Sequence, residues 1–423
     1  MRVQVDWLRN WTHPLYLAIF SCIISVTIST ILLRDGVKLT PDGWVYWEGS
    51  VSLLHGNGYV QLNGEPITAF PPLFSIYLAG IQTIVGIHGV SLIVGVVILA
   101  GLTSGIWSYL FSRLSEQTNT PPYQKLILPI YVSLFVSCYY RHLYSETLFL
   151  ALLGCIYILI AQIHLQKGMN YKQPLWVQIS LLNVLLVLLI FSRNAALAFV
   201  PSIILVLLLS LNHTTRLKRI LIALVTSMFV MGCWIGLRGL LGANASHTFM
   251  LGGHYTPLDY ITQMSTGLAY LFGPQTYGVG WFVLLLIGLS IVLMSYLALF
   301  DTDAKPSPQQ TILMYLLAIT LMSGVILYIL FNLTWIHDTF SGRFLWFFGL
   351  GIIGVLAAYI TWQSKRWIHL VLLAILLIVT SLQTIRTAAY IRNSLRDNSS
   401  PLLVAPHQTI GVDNGYKDRK ETK

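Results

Sequence analysis

Thr40-Pro41-Asp42 has the form of a helix start: Thr40 can cap, Pro41 suits the first helical position, and Asp42 falls near the positive end of the helix dipole. Trp44, Trp47, Val51 and Leu54 then recur at helical spacing, which predicts a short helix lying on a membrane with its aromatic stripe toward lipid or protein. Asp42 would then be held close to the membrane surface. A carboxylate in that place has two readings. It can take the proton from an acceptor hydroxyl as a general base, or it can do no more than stabilise the dipole.

Two further titratable groups follow, His55 in His55-Gly56-Asn57-Gly58-Tyr59 and Glu65 in Gly64-Glu65-Pro66, just ahead of Pro71-Pro72-Leu73. Glycines permit tight turns and paired prolines end one helix before another begins, so an ordinary structured loop explains this stretch as well as a site does.

A second constellation is basic. Arg141 lies in Tyr140-Arg141-His142, Arg193 in Ser192-Arg193-Asn194, Arg238 after Trp234, and Arg343 in Gly342-Arg343-Phe344, each at or just inside the end of an apolar run. An unpaired charge at membrane depth costs roughly 2.5 kcal/mol or more. A bound phosphate would neutralise such a group, since a guanidinium matches phosphate oxygens in bidentate fashion. So would pairing within the chain, Arg141 or Arg193 with Glu146, or snorkelling to lipid headgroups.

These residues need elements to position them, and the composition says which kind. Of 423 residues, 56% are hydrophobic and 9% charged, with a mean hydropathy of +0.72, whereas soluble domains have roughly a quarter charged residues. The chain reads as an all-α polytopic membrane bundle. Apolar windows predict about eleven spans, near 14–33, 88–112, 124–140, 145–165, 175–192, 195–211, 218–240, 280–300, 311–333, 343–362 and 367–388. Residues 1–388 form the membrane domain and 389–423 a basic, partly disordered tail. The segment Pro72 to Gly86 is apolar but short, consistent with an interfacial helix, a re-entrant segment or an extension of the second span.

With a cytoplasmic N-terminus, bases such as Arg113, Lys125, Lys167, Arg216, Lys218 and Arg219 fall inside, while Asp42, Glu48, Glu65 and Glu146 fall outside, as the positive-inside rule requires. The long outer loops are then 34–87 and 241–279, so function is expected on the outer face. The net charge of +10 is scattered over short inner loops and not gathered into a nucleic-acid-binding face. Cys22, Cys138, Cys155 and Cys233 lack metal-ligand spacing, and His254, Asp259, His337 and Asp338 show no repeated ligand pattern, so no metal site is predicted. No phosphate-binding loop or dinucleotide fingerprint occurs where it could work.

In order and spacing the chain resembles the GT-C superfamily of membrane glycosyltransferases, in the branch of protein O-mannosyltransferases, aminoarabinose transferases and related bacterial lipid-linked-sugar transferases. The fragments that carry the resemblance are Asp42-Gly43-Trp44-Val45-Tyr46, Gly56-Asn57-Gly58-Tyr59, Pro71-Pro72-Leu73, Tyr144-Ser145-Glu146, Ser192-Arg193 before Phe199-Val200-Pro201, and Gly342-Arg343-Phe344-Leu345. The resemblance implies inverting transfer of a hexose or pentose from a polyprenyl-phosphate carrier to an acceptor glycan, lipid or protein at the outer face of a bacterial inner membrane. It makes Asp42 the base and gives Arg193, Arg343, Arg141 and Arg238 the donor phosphate, with Tyr46, His55, Glu65 and Glu146 in support. No cofactor is required on this reading, and a divalent metal stays open. Gly43 stands where many relatives place a second acid, which counts against metal-assisted chemistry. A transporter or flippase of a lipid-linked or anionic solute is the alternative, and it calls for charges at mid-span and an inverted repeat. A membrane scaffold, the third class, would tolerate changes at Asp42.

Overall fold

Pro14 opens the first helix among the described residues, with the ring nitrogen Nδ1 of His13 accepting from the Leu15 amide at 3.3 Å. In this computed structural model residues 13–34, 36, 37, 39, 41–87, 89–115, 122–139, 143, 145–165, 174–211 and 215–241 are described, with helical positions at 311, 312, 315, 316, 319, 322, 323, 374, 378, 381, 384, 385, 388 and 389. The helices are α1 Pro14–Leu32, α2 Pro41–Leu54, α3 Leu73–Val85, α4 Gly89–Ser115, α5 Pro122–Tyr139, α6 Glu146–Leu165, α7 Leu175–Ser192, α8 Phe199–Ser210 and α9 Arg216–Leu240, with a 3-10 turn Asn194–Ala198 between α7 and α8. Among the described residues there is no β-strand, only an isolated bridge between Val60 and Pro66.

Five of these helices, α1, α4, α6, α7 and α9, are long and apolar enough to cross a bilayer. The chain is an integral membrane protein. Spans expected near 280–300 and 343–362 lie outside the described residues, as do the 241–279 loop beyond Leu241 and the tail beyond 389. The expected span near 195–211 is divided, its first turn being 3-10 and the rest α8. Pro72 to Gly86 is not an extension of the second span. It forms a separate 13-residue helix, ended by Gly86 at φ 93° and separated from α4 by three residues.

Large residues of α1 such as Ile19 and Ile23 face outward, while Ser21, Ser25 and Ser29 are buried against the bundle. Lipid is as apolar as leucine, so membrane helices associate through small residues and hydroxyls instead of greasy side chains. Ser21 Oγ lies 2.7 Å from Ser133 Oγ of α5 and accepts from Ser108 Oγ of α4 at 2.7 Å. Ser25 pairs with Ser137 at 2.9 Å and donates to the Ala100 carbonyl at 3.1 Å. The helices approach so closely that a Cβ on Gly101 would sit 2.8 Å from Val26 Cγ2 and 3.0 Å from Cys22 Sγ.

Candidate active site at one end of the bundle

The helix predicted from Thr40-Pro41-Asp42 is present: α2 begins at Pro41 with Asp42 in its first turn. Tyr46 lies four residues on, so it shares a helix face with Asp42. That face meets the bundle. Tyr46 is buried, its hydroxyl donates to Ser145 Oγ at 3.0 Å, and its ring packs edge-on against Phe70 and Phe74 at 5.3 and 5.1 Å. Ser75 of α3 donates to the Tyr46 carbonyl at 2.9 Å. Burial pushes the Tyr46 phenol far above its ordinary range, against the opposing pull of the Arg193 charge and the Ser145 hydrogen bond. It therefore stays protonated and acts as a donor.

Behind Tyr46 stands an ion pair. Glu146 opens α6 and Arg193 follows the last residue of α7, and their side chains meet through Arg193 Nη1 and Glu146 Oε1. The pair is largely shielded, with Arg193 half-buried at 16% exposure and Glu146 buried at 7%. Pairing within the chain, one of the ways to neutralise Arg193, is therefore present.

Arg238, in the last turn of α9, donates from Nη1 to the Thr68 carbonyl at 3.0 Å, and Asn194 donates from Nδ2 to the Ala69 carbonyl at 3.0 Å. Asp42, Tyr46, Glu146, Arg193 and Arg238 are thus attached to one assembly at one end of the bundle. Arg141 and Arg343 lie outside the described residues.

His55 and Glu65 are not part of this junction. Both are exposed, His55 with its Nδ1 2.9 Å from the Val51 carbonyl and Glu65 with its amide donating to Asn63 Oδ1 at 3.0 Å. They belong to the turn after α2, where Gly56 and Gly58 at φ 75° and 82° reverse the chain. The returning segment packs so tightly on α2 that a Cβ on Gly49 would come within 2.6 Å of Tyr59 Cε2.

Glu48 is a residue to which sequence reasoning gave no role. Its Oε1 accepts from Trp44 Nε1 at 2.7 Å, and its carboxylate also takes the Leu62 amide. Burial lifts its carboxyl above the usual carboxylate range, partly offset by these two donors. The i,i+4 spacing of Trp44 and Glu48 was the available signal. Ser145 and Asn194 stood inside quoted fragments without a part, and the carbonyls of Thr68 and Ala69 leave no mark in a sequence. Among the described residues no three of His, Cys, Asp and Glu converge as a metal site.

No family model matches the chain, and no curated protein matches it. Among solved structures, the crystal structure of ArnT from Cupriavidus metallidurans bound to undecaprenyl phosphate is similar, with a TM-score of 0.56 over 89% of this chain and 76% of that one. Sequence identity is 9%, so the likeness is one of fold. The chain shares the polytopic helical fold of that structure.

Proposed function

We propose that this chain is a membrane glycosyltransferase that moves a sugar from a polyprenyl-phosphate carrier to an acceptor at the outer membrane face, with inversion. The observation that supports it most is the junction itself: the helix bearing Asp42 is fastened beside the Arg193–Glu146 pair at one end of the bundle. The likeness to a solved chain bound to undecaprenyl phosphate supports the same class of carrier.

In the proposed reaction Asp42 takes the proton of the acceptor hydroxyl as its oxygen attacks the anomeric carbon. The bond from that carbon to the phosphate oxygen breaks, and the phosphate leaves with the electron pair. Negative charge grows on the leaving oxygens, where fixed guanidinium groups stabilise it most. Arg193 serves there with Arg141 and Arg343, and Glu146 holds the Arg193 guanidinium in place. A carrier tail reaches such a site through the bilayer. The transporter alternative calls for ionisable groups at mid-span, and the Arg193–Glu146 pair lies instead at helix ends.

The test is Asp42→Asn in proteoliposomes supplied with a panel of undecaprenyl-phosphate sugars and candidate acceptors. Transfer should fall by about 10²-fold or more, the range for loss of a general base, with undecaprenyl phosphate still bound. Substantial transfer by the variant would overturn the assignment of Asp42.

A further inference from the structure

The segment between the bridge at Pro66 and the Pro71-Pro72 pair is held at two adjacent peptide groups by two different elements. Arg238 reaches the Thr68 carbonyl from the end of α9, and Asn194 reaches the Ala69 carbonyl from the 3-10 turn after α7. On one side of these carbonyls Ile67 is buried at 2% exposure, its amide donating to the Tyr59 carbonyl at 3.2 Å. On the other side Phe70 packs against Tyr46, whose hydroxyl is fixed on Ser145. A continuous mechanical path therefore runs from Arg238 and Asn194, through Thr68 to Phe70, to the face of α2 that bears Asp42.

We infer that Arg238 and Asn194 are positioning residues that clamp the Thr68–Ala69 segment and so fix the helix that carries Asp42, and that Arg238 spends its guanidinium on this clamp and not on the donor phosphate. The inference rests on the reading of Asp42 as the base for its functional meaning, but the clamp itself is independent of it. Arginine suits the task because its rigid fork keeps several donors oriented at the end of a long side chain. A neutral amide from Asn194 on the neighbouring carbonyl completes a grip in which charge is not the common factor. That separates the clamp from phosphate binding, where charge is the common factor.

The experiment uses the full chain in nanodiscs and two readouts. Amide hydrogen exchange is followed over residues 59–72, and affinity is measured for undecaprenyl phosphate alone. Arg238→Met and Asn194→Ala should each speed exchange at Ile67 to Phe70 by tenfold or more, leave undecaprenyl phosphate affinity within twofold, and leave exchange in α1 and α4 unchanged. Arg238→Lys, which keeps a cationic N–H donor group on a long side chain, should restore part of the protection and serves if Arg238→Met does not fold. Unchanged exchange at Ile67 to Phe70 in the neutral variants would overturn the clamp. So would a tenfold loss of undecaprenyl phosphate affinity in Arg238→Met that Asn194→Ala does not share. Asp42→Asn is the control: if it stays active while the clamp variants behave as expected, the base assignment falls and the clamp stands.

Discussion

The seam between α1, α4 and α5 and the junction around α2 both bury polar groups, and they satisfy them by different means. In the seam the partners are neutral hydroxyls one helical turn apart, Ser21 and Ser25 against Ser133 and Ser137, closed by glycine contacts. Such bonds hold helices together and leave nothing to titrate. In the junction the partners are a carboxylate, guanidinium groups, a phenol and bare loop carbonyls. Groups of that kind are costly to bury singly, and their value lies in charge and proton affinity. The contrast separates a part of the molecule that can only hold helices together from a part that also carries groups suited to chemistry.

The comparison breaks most sharply at the ion pair. Glu146→Ala takes the carboxylate from the half-buried Arg193 guanidinium, a loss of about 3 kcal/mol, the lower end of the range for broken buried pairs because Arg193 keeps 16% exposure. The double variant Glu146→Ala/Arg193→Met should recover most of that stability while remaining inactive in transfer. Thermal unfolding in detergent, read beside the transfer assay, checks both parts. A double variant no more stable than the single would mean that the pair is not the source of the loss.

How far the junction was legible from the residues depends on what each contact uses. The start of α2 followed from local chemistry, because a proline and an acid at a helix start act on their own backbone. Glu146 was named as one partner for Arg141 or Arg193, beside a bound phosphate and lipid headgroups, because it is an acid at the end of a neighbouring span. The clamp contacts were not legible. They join residues 170 and 125 positions apart, and each ends on a main-chain carbonyl that every residue possesses. The seam could have been read and was not: Ser21, Ser25 and Ser29, Ser104, Ser108 and Ser112, and Ser133 and Ser137 all recur at intervals of four, which sets each series on one helix face. The bundle as a whole was the easiest part, since bilayer thickness imposes the length of an apolar run whatever its neighbours are.

A smaller lesion sharpens the other side of the contrast. Gly101→Ala forces a methyl group against Val26 and Cys22, an overpacking loss of about 1–3 kcal/mol. The expected result is a lower unfolding temperature with transfer per folded molecule unchanged. A fall in specific activity without a fall in stability would show the seam to be coupled to the site.

The smallest effect concerns acid. Burial raises the Glu48 carboxyl, with the Trp44 indole and the Leu62 amide opposing it. A folded-state value above the unfolded one means that the proton is bound more tightly in the folded chain. The stability this contributes is present below the ordinary carboxylate range and is lost as pH rises through the raised value. Relative to Glu48→Gln, the native chain should therefore gain stability as pH falls from 6.5 to 4, measured as the difference between their unfolding temperatures. A difference independent of pH would refute it.

The stub helix α3 has a consequence of its own. At 13 residues and a rise of about 1.5 Å per residue it is too short for the roughly 30 Å of a hydrocarbon core. Ile76 and Ile84 project from it at 50% and 83% exposure, and such residues sink to the boundary between headgroups and acyl chains. Because Ser75, next to Ile76, is bonded to Tyr46, this float is geared to α2. With α3 afloat at that boundary, the depth of the loop carrying α2 would follow the lipid surface more than the lengths of the spans, and a thinner or thicker membrane would carry the carboxylate of Asp42 with it.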